Sequence, residues 1–233
     1  MTTHILVTGT SRGIGAAILD ALAGSDVKLV GQGTRSGIAA DFTDPGAPRN
    51  LWAAALDALD GRIDVLVNNA GVFEAASIDL DDDAWVAAWE RTMRINLTAS
   101  AELSRLAVRH WQARGSGGRI VNIASRAAYR GDSPAHWHYA ASKAGMIGMT
   151  KSIARGYAKE GILAFAICPG FTMTGMAEDY LASRGGDRLL ADIPLGRVAD
   201  PQEIAVTARF CALEAPASMT GAVLDVNGAS YVR

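Results

Sequence analysis

Tyr139 and Lys143 stand four residues apart in the segment HYAASKAG, a spacing that places both side chains on one face of a helix. A free tyrosine titrates near pH 10, and a neighbouring ammonium group favours the phenolate and lowers its pKa. Lowering that pKa to about 7 needs roughly 4 kcal/mol of differential stabilisation. The pair could therefore give and take protons at neutral pH, although an amphipathic helix can carry the same two residues without any chemistry.

A glycine-rich loop, TGTSRGIG, follows the first apolar run, and a helical pattern begins where the loop ends. Its glycines allow a tight turn and a close approach of a ligand to the backbone. The N–H groups at the start of the next helix, with the helix's partial positive charge, suit a pyrophosphate. A loop placed between a strand and a helix is typical of a dinucleotide site. The residues predicted to bind the cofactor here are Gly9, Thr10, Ser11, Arg12, Gly13, Ile14 and Gly15.

Short apolar runs alternate along the chain with longer helical patterns. The runs are continuously apolar, which indicates strands that are covered on both faces, as in a parallel sheet. This alternation predicts an α/β fold, a Rossmann-type doubly wound parallel sheet, in one domain over residues 1–233. The predicted strands are Ile5–Val7, Val27–Val30, Val65–Val67, Ile120–Ile123, Leu163–Cys168 and Val223–Val226. The predicted helices are Ile14–Leu22, Ala47–Leu59, Asp81–Arg114, Tyr139–Lys159 and Pro201–Leu213.

The connection between the second and third strands is shorter than this pattern requires. Too few residues lie between Val30 and Asp41 for a crossover helix, which normally takes about a dozen residues or more. We therefore expect a short loop here, followed by a third strand reduced to Ile38–Asp41.

Composition narrows the possible functions. The net charge is −2 and the pI is about 6.1, so no basic excess favours nucleic acid. No apolar run reaches spanning length, which argues against a membrane protein. The two cysteines, Cys168 and Cys211, lack metal-ligand spacing and indicate buried thiols in a reducing compartment, so we expect no metal site. A strand pattern begins close to Met1 and leaves no room for a signal peptide, so we expect a cytoplasmic protein.

Five motifs in order resemble the short-chain dehydrogenase/reductase family. They are the glycine loop, NNAG at Asn68–Gly71, Tyr-x3-Lys, and the segments RINLTAS around Asn96 and VNIAS ending at Ser125. The segment CPGFTMTGM at Cys168–Met176 and the ending IPLGRVADPQEIA…TGAVLDVNGASY are also similar to that family. The resemblance covers nearly the full length, and the ending looks most like that of 3-oxoacyl-acyl-carrier-protein reductases.

The resemblance implies a catalytic group of Ser125, Tyr139, Lys143 and Asn96. Tyr139 would protonate a carbonyl oxygen as hydride arrives, and Lys143 would lower the pKa of that phenol and bind the nicotinamide ribose. Ser125 would donate a hydrogen bond to the same oxygen, where charge develops. Asn96 would hold a water that relays protons to Lys143. An isolated serine at a strand end, or an asparagine facing a groove, could instead be structural.

The resemblance also implies contacts along the rest of the cofactor. Asn69, Ala70 and Gly71 would lie against its adenosine side, and Asp41, followed by Phe42, would accept the adenine amino group. The segment DFTDPG is also rich in turn residues, so Asp41 could simply begin a turn. The residues expected to bracket the nicotinamide are Pro169, Gly170, Thr172 and Thr174.

The residues after the second strand bear on the choice between NADP and NAD. An NAD enzyme of this fold usually places an acidic residue there, on the ribose 2′-hydroxyl. This strand ends VGQGTR, with Gln32 and no acid near it. Arg12, Thr34 and Arg35 would suit a 2′-phosphate, which guanidinium groups can bind in a bidentate manner. The sequence therefore predicts NADP, although Gln32 could still tolerate NAD.

The substrate side of the site is less well defined by the sequence. Residues 175–192, with glycines near both ends, resemble the family's mobile substrate lid. In the family, the helix predicted over Asp81–Arg114 and the Tyr–Lys helix pair across a dimer interface, so we expect a homodimer or homotetramer. Trp137 could line the pocket or pack between subunits. The candidates to line the pocket are Arg126, Tyr129, His136, Trp137 and His138.

Together these features predict an NADP-dependent oxidoreductase that transfers hydride between nicotinamide and a carbonyl or secondary alcohol. Reduction of a 3-oxoacyl thioester is the leading specific prediction. One alternative is an NAD-dependent dehydrogenase of a sugar, a polyol or a cyclic alcohol such as a dihydrodiol. An alternative of another class is a non-catalytic binding protein that senses NADP(H). The intact Ser125, Tyr139 and Lys143 argue against that class.

Overall fold

The computed structural model describes residues 2–173 and 190–233, and its described part forms one sheet of seven parallel strands with helices on both faces. The strand order is β3-β2-β1-β4-β5-β6-β7, which confirms the predicted doubly wound α/β fold. The strands are β1 Thr3–Val7, β2 Val27–Gly33, β3 Ile38–Ala39, β4 Val65–Asn68, β5 Gly118–Ile123, β6 Ile162–Pro169 and β7 Val223–Val226. The helices are α1 Gly13–Leu22, α2 Ala47–Ala58, α3 Asp82–Met93, α4 Ala99–Arg114, α5 Ala127–Arg130, α6 Trp137–Tyr157 and α7 Pro201–Arg209.

Alternate residues of the central strands enter two separate cores. On one face, Ile5 and Val7 of β1 lie in a buried cluster with Ile18 of α1. On the other face, Leu6 lies in a cluster with Leu51 of α2. Because successive side chains of a strand point to opposite faces, a sheet covered on both sides needs continuously apolar strands.

The long helix predicted over Asp81–Arg114 is interrupted in the structure. Asp81 precedes α3 as its N-cap, and its carboxylate accepts a hydrogen bond from the Ala84 N–H at 2.9 Å. A π-helical turn, Arg94–Thr98, separates α3 from α4. Such turns occur often at functional sites, and this one carries the buried Asn96.

Other helix ends also differ from the predictions. The Tyr–Lys helix, α6, begins two residues early at Trp137 and ends at Tyr157, where a 3₁₀ turn follows. The helix predicted over Pro201–Leu213 ends at Arg209 and continues as a π-helical turn. The short helix α5 was not predicted, since four residues are too few to show a periodic pattern.

The expected short connection between β2 and β3 is confirmed, but β3 is shorter than predicted. It ends at Ala39 instead of Asp41, and residues 34–37 join it to β2. Gly37 has a left-handed φ of +61°, and an added Cβ there would lie 2.1 Å from the Gly31 carbonyl oxygen. Only glycine therefore fits this turn without strain.

Buried amides tie the centre of the sheet to the helices that cover it. The Asn68 side chain donates to Asn122 Oδ1 at 2.8 Å and to Ser104 Oγ at 3.1 Å. Asn122 Nδ2 donates in turn to Thr150 Oγ1 at 2.8 Å. Asn68 therefore links β4 to β5 and to α4 at the centre of the sheet.

No helix within residues 2–173 and 190–233 has both the length and the apolar character needed to cross a bilayer.

Replacing Gly118 by alanine should destabilise the fold. An added Cβ would lie 2.1 Å from Cε2 of Trp111, a fully buried indole whose N–H donates to the Ile63 carbonyl at 2.7 Å. Because this ring cannot move away freely, we expect Gly118→Ala to lower the free energy of unfolding by about 1–3 kcal/mol, measured by urea denaturation. Gly24→Ala, with no atom within 4 Å of the added Cβ, is the control. Equal losses in the two variants would contradict this account.

Candidate active site

The glycine-rich loop has the shape that a closely approaching ligand requires. Gly9 and Gly13 have left-handed φ angles of +70° and +57°. An added Cβ on Gly15 would lie 1.9 Å from the Gly9 carbonyl oxygen, so that position admits no side chain. The loop therefore passes the end of β1 with no side chain at its glycine positions, so a pyrophosphate could approach the backbone closely there.

Two side chains outside the loop hold it in this shape. The Asn69 amide donates to the carbonyl oxygens of Thr8 and Gly9 at 3.0 and 2.9 Å. Gln32 Oε1 accepts from the Gly9 N–H at 2.9 Å, while its Nε2 donates to the Ala40 carbonyl at 2.7 Å. Gln32 is buried, so its amide supports the loop from behind and is already engaged with the backbone of the protein.

The start of α1 fits a dinucleotide. Arg12, its N-cap, makes no side-chain capping bond, and the first turn has no acidic residue, so the N–H groups there have no competing anion. The backbone of Gly13, Ile14 and Gly15 would hold the pyrophosphate. Across the loop, Ala70 presses close, since a Cβ on Gly9 would lie 2.7 Å from its Cα. A bound nicotinamide dinucleotide would supply or accept the hydride.

The predicted 2′-phosphate side carries exposed basic and hydroxyl residues. The loop after β2 lies against the glycine loop, because a Cβ on Gly33 would lie 3.5 Å from Ser11 Cβ. Arg12, Thr34 and Arg35 are exposed there. Neither arginine forms an ion pair within the described part of the chain. Their guanidinium groups are therefore available to an anion.

Asp41 lies in a turn. Its Oδ1 accepts from the N–H and the hydroxyl of Thr43 at 2.9 and 2.8 Å, and these hydrogen bonds lower the pKa of the exposed carboxyl. Phe42, which follows, is buried against α2. The structure thus has the turn that the segment DFTDPG suggested, and the adenine contact of Asp41 stays a prediction.

The three residues expected to handle the proton meet at the ends of β5 and α6. Ser125 and Lys143 are buried, and the Lys143 ammonium donates to the Ile123 carbonyl at 2.8 Å. Its Nζ lies 5.8 Å from the centre of the Tyr139 ring. Ser125 hydrogen-bonds to the Tyr139 side chain and accepts from the Ala127 N–H at 3.1 Å.

Burial opposes the lowering of the tyrosine pKa that Lys143 is expected to cause. Burial raises the pKa of Tyr139 to about 12, and the hydrogen bond with Ser125 opposes that change only in part. Burial also lowers the pKa of Lys143 to about 8. The phenol is therefore protonated at neutral pH, the state that a proton donor needs.

Asn96 reaches the same place from the π-helical turn. Its Oδ1 accepts from the Val72 N–H at 2.8 Å, and its Nδ2 donates to the Val72 carbonyl at 3.0 Å. A Cβ on Gly71 would lie 3.3 Å from Asn96 Oδ1 and 3.5 Å from Lys143 Nζ. Asn96 thus fixes the turn after β4 against Lys143, and its relay water stays a prediction.

The turn expected to hold the nicotinamide follows β6. Pro169 ends the strand, and an added Cβ on Gly170 would lie 2.8 Å from the Cα of Asn227. Thr172 is buried and donates to the Gly170 carbonyl at 3.2 Å. Thr174 lies outside the described residues.

Phe73, which the sequence analysis missed, forms a wall of the site beside Tyr139. Its ring stacks on His136 with centroids 3.9 Å apart and meets the Tyr139 ring edge-on at 4.8 Å. His136 Nδ1 lies 2.7 Å from Ser133 Oγ. The only sequence signal for Phe73 was an aromatic residue just after NNAG. It and His136 are placed to contact a substrate.

The other predicted pocket residues divide between the site and its surroundings. Trp137 is 52% exposed, and its ring centroid lies 6.2 Å from that of Trp85 of α3. The ring that contacts Tyr139 is instead that of Phe73. His138 is buried, and its Nε2 has no hydrogen-bond partner in the part of the chain that the structure describes. Tyr129 stacks on Tyr231 of the C-terminal segment at 5.6 Å.

Arg126 lies next to the turn that follows β6. The Arg126 guanidinium sits 5.4 Å from the centre of the Phe171 ring. Residues 175–189 of the lid lie outside the described residues. In the described ranges, 2–173 and 190–233, no group of three or more His, Cys, Asp or Glu side chains is placed to hold a metal ion.

A family model described as enoyl-(acyl carrier protein) reductase matches residues 20–229. The chain is 35% identical to a 3-oxoacyl-[acyl-carrier-protein] reductase of Vibrio cholerae, over 97% of this chain and 96% of that protein. It is 34% identical to the Escherichia coli enzyme of that name, with the same coverage. It is 37% identical to the one from Synechocystis, over 96% of this chain and 94% of that protein.

Solved structures match over nearly the whole length. One is a proposed 2-deoxy-d-gluconate 3-dehydrogenase from Agrobacterium tumefaciens with bound NADP, with a TM-score of 0.89, 30% identity, and coverage of 99% of this chain and 97% of that one. Another is a proposed NAD(P)-dependent gluconate 5-dehydrogenase from Beutenbergia cavernae with bound NADP, with a TM-score of 0.86, 31% identity, and coverage of 97% and 95%.

Replacing Lys143 by methionine should stabilise the protein while it removes activity. A pKa lowered from 10.5 to about 8 corresponds to an unfavourable burial of charge on the order of 3 kcal/mol. We expect Lys143→Met to raise the free energy of unfolding below pH 8 by about 1–3 kcal/mol, since part of this gain is lost with the bond to Ile123.

The gain should shrink between pH 8 and 10.5, where the folded wild type releases its proton before the unfolded chain does. Urea denaturation at several pH values measures it. Lys151→Met, an exposed lysine of the same helix, is the matched control and should change neither stability nor activity. A lower free energy of unfolding for Lys143→Met at pH 7 would show that the buried ammonium does not destabilise the folded protein.

Proposed function

The chain belongs to the short-chain dehydrogenase/reductase family, and we propose that it is an NADP-dependent reductase whose leading substrates are 3-oxoacyl thioesters. As a member of that family it is an NAD(P)-dependent oxidoreductase. The observation that carries the proposal is that Ser125, Tyr139 and Lys143 lie together beyond the carboxyl end of β5. The full-length similarity to 3-oxoacyl-[acyl-carrier-protein] reductases supports the thioester substrate.

The proposed reaction adds hydride to the carbonyl carbon and a proton to its oxygen. As the C=O π bond breaks, the O–H bond of Tyr139 also breaks, and its proton forms the new hydroxyl group. Ser125 donates a hydrogen bond to the same oxygen while negative charge develops there. The resulting phenolate lies beside the Lys143 ammonium, and a proton that reaches it from solvent through Lys143 restores the phenol, so that Lys143 ends protonated. Oxidation of the alcohol follows the same steps in reverse.

The preference for NADP over NAD rests on the surroundings of the predicted 2′-phosphate. Arg12 and Arg35 are exposed and form no ion pair with any other described residue, and Gln32 is engaged with Gly9 and Ala40. No side chain near the end of β2 offers a carboxylate to a ribose 2′-hydroxyl. The bound NADP of two structural neighbours agrees with this preference.

A second candidate reaction is the dehydrogenation of a gluconate-type sugar acid, again with NADP. The names of the two structural neighbours support it. The arginine residues beside Ser125 also favour it, because a sugar acid carries a carboxylate that they could bind. It shares the proposed proton transfer and differs only in the substrate.

We also propose a homodimer or homotetramer in the cytoplasm. Exposed apolar residues of α3 and α6 support a subunit contact there: Trp137 is 52% and Val86 is 46% exposed. Trp85 of α3 meets Trp137 of α6, with their ring centroids 6.2 Å apart, so the two apolar surfaces are continuous.

The reaction is tested with a panel of ketones, 3-oxoacyl thioesters and sugar acids, followed by NADPH absorbance. We expect S-acetoacetyl-N-acetylcysteamine to be reduced, and Tyr139→Phe to lower kcat by about 10²–10⁴-fold because the phenolic proton is gone. The variant should still bind NADPH, measured by fluorescence. Full activity in a folded Tyr139→Phe protein would disprove the mechanism. Tight NADPH binding without turnover of any compound would instead favour the cofactor-sensing alternative.

The cofactor preference is tested with Arg12→Ala and Arg35→Ala. Each should lower kcat/KM for NADPH by about tenfold or more, because a charge-assisted hydrogen bond to phosphate is lost, and should leave kcat/KM for NADH nearly unchanged. Arg49→Ala, an exposed arginine of α2, is the matched control. A strong wild-type preference for NADH that Arg12→Ala does not change would overturn the NADP proposal.

A further inference from the structure

Two arginines beside the catalytic serine converge on a single carboxylate oxygen. Arg126 is the N-cap of α5 and Arg130 is its last residue, so they are four residues apart on one side of the helix. Their Nη1 atoms lie 3.4 and 2.6 Å from Asp192 Oδ2. Arg130 also donates to the Ser230 carbonyl at 3.1 Å.

This cluster lies at the substrate side of the reacting centre. Arg126 directly follows Ser125, and its backbone N–H donates to the Pro169 carbonyl at 3.0 Å, where the nicotinamide turn begins. Its guanidinium lies over Phe171 of the same turn. These loops follow β5 and β6 at the carboxyl edge of the parallel sheet, which is where ligands bind in this architecture.

Among the described residues, the carboxylates near the two arginines neutralise them incompletely. Like charges at this helical spacing repel each other, and only 11% of the Arg126 side chain is exposed, so its charge needs a partner. Its contact with Asp192, at 3.4 Å, is longer than the 2.7–2.9 Å of a strong charge-assisted bond. The charge of Asp132 also attracts Arg126, but the two residues form no ion pair. Asp132 is exposed, and its Oδ1 accepts a hydrogen bond from the Ser133 N–H at 2.8 Å.

Asp192 itself is 48% exposed and uses one carboxylate oxygen for both arginines. A carboxylate from a ligand would offer the same chemistry with two oxygens, which matches the planar fork of a guanidinium better. The cost of displacing Asp192 is small, because its carboxylate can return to water.

We infer that Arg126 and Arg130 form a subsite for a carboxylate of the substrate, and that Asp192 takes that place in the free protein. The inference rests on the proposed function for the reacting carbonyl, and it narrows the substrate to carbonyl compounds and alcohols that carry a carboxylate a few bonds from the reacting carbon. The arginine cluster therefore supports the second candidate reaction, on acids of the gluconate type, and 3-oxo acids, whereas only the similarity to 3-oxoacyl-[acyl-carrier-protein] reductases supports the thioesters.

The test compares matched substrates that differ in charge: 4-oxopentanoate with its methyl ester, and acetoacetate with methyl acetoacetate. With NADPH present, we expect the acid to have the higher kcat/KM in each pair. Arg126→Met and Arg130→Met should each lower the acid-to-ester ratio of kcat/KM by about tenfold or more. Asp192→Asn, which removes the competing carboxylate, should raise that ratio. Arg49→Met is the matched control and should leave it unchanged.

The opposite signs separate a subsite from a structural tie. If the cluster only fixed the loops, Asp192→Asn and Arg126→Met would affect acid and ester alike, and the inference would be wrong. Should Arg126→Met fail to fold, Arg126→Lys keeps the charge without the fork, and a smaller fall in the ratio is expected. Preferential turnover of the ester or of S-acetoacetyl-N-acetylcysteamine would overturn the inference and leave the proposed function intact.

Binding without turnover distinguishes the failure of the proposed function. Tyr139→Phe loaded with NADPH is heated with 4-oxopentanoate or with its methyl ester. A rise in Tm with the acid alone, larger when Asp192→Asn is added, supports the subsite even if no carbonyl is reduced. The same Tm with both compounds would overturn the subsite.

Discussion

The structure of the site depends on keeping an ammonium group away from water. Lys143 is only 4% exposed, and its described hydrogen bond goes to the Ile123 carbonyl. Burial of a charged group is unfavourable, and for this reason burial lowers the pKa of Lys143. The fold accepts it because Lys143 must stand between the turn after β4 and the Tyr139 ring. Stability is given up at this point so that a proton can be moved.

The residues around Lys143 leave little freedom for its position. Gly71 lies against both the Lys143 ammonium and Asn96, and Asn96 is fixed by both backbone groups of Val72. Val72 in turn precedes Phe73, whose ring meets Tyr139 and stacks on His136. Through Asn96, the π-helical turn therefore helps to position the segment that contacts the Lys143 ammonium, the Tyr139 ring and the Phe73 wall of the site. A regular helix would turn Asn96 to a different direction, since side-chain positions depend on the helical repeat.

The cofactor and substrate sides of the site are held in different ways. The glycine loop is fixed by neutral hydrogen bonds from Asn69 and Gln32, and its shape does not depend on protonation. The substrate side is fixed by charges, with Arg126 and Arg130 balanced on Asp192. Hydrogen bonds within the backbone keep a rigid cradle, whereas an ion cluster with one exposed member can exchange its partner for a ligand.

The sequence by itself determined the order of the main strands and helices and the residues that can react. Apolar runs that alternate with helical patterns indicate a parallel sheet between helices, and the spacing of Tyr139 and Lys143 places them on one face of any helix. Local rules also identified the short link after β2, since a chain of few residues cannot make a crossover helix. These rules depend only on residues that are close together in the sequence, and such residues decide the order of the main elements and the length of this link.

Only the tertiary structure decided what surrounds those residues. Burial opposes the expected lowering of the Tyr139 pKa, because desolvation depends on everything packed around the ring while the sequence showed only the nearby lysine. Phe73, Gln32 and Asp192 took their roles from contacts with residues far away in the chain. The interruption of the long helix at Arg94–Thr98 likewise leaves no mark in the apolar pattern. Burial and long-range contact are properties of the folded chain, and these decided how the reactive groups are held.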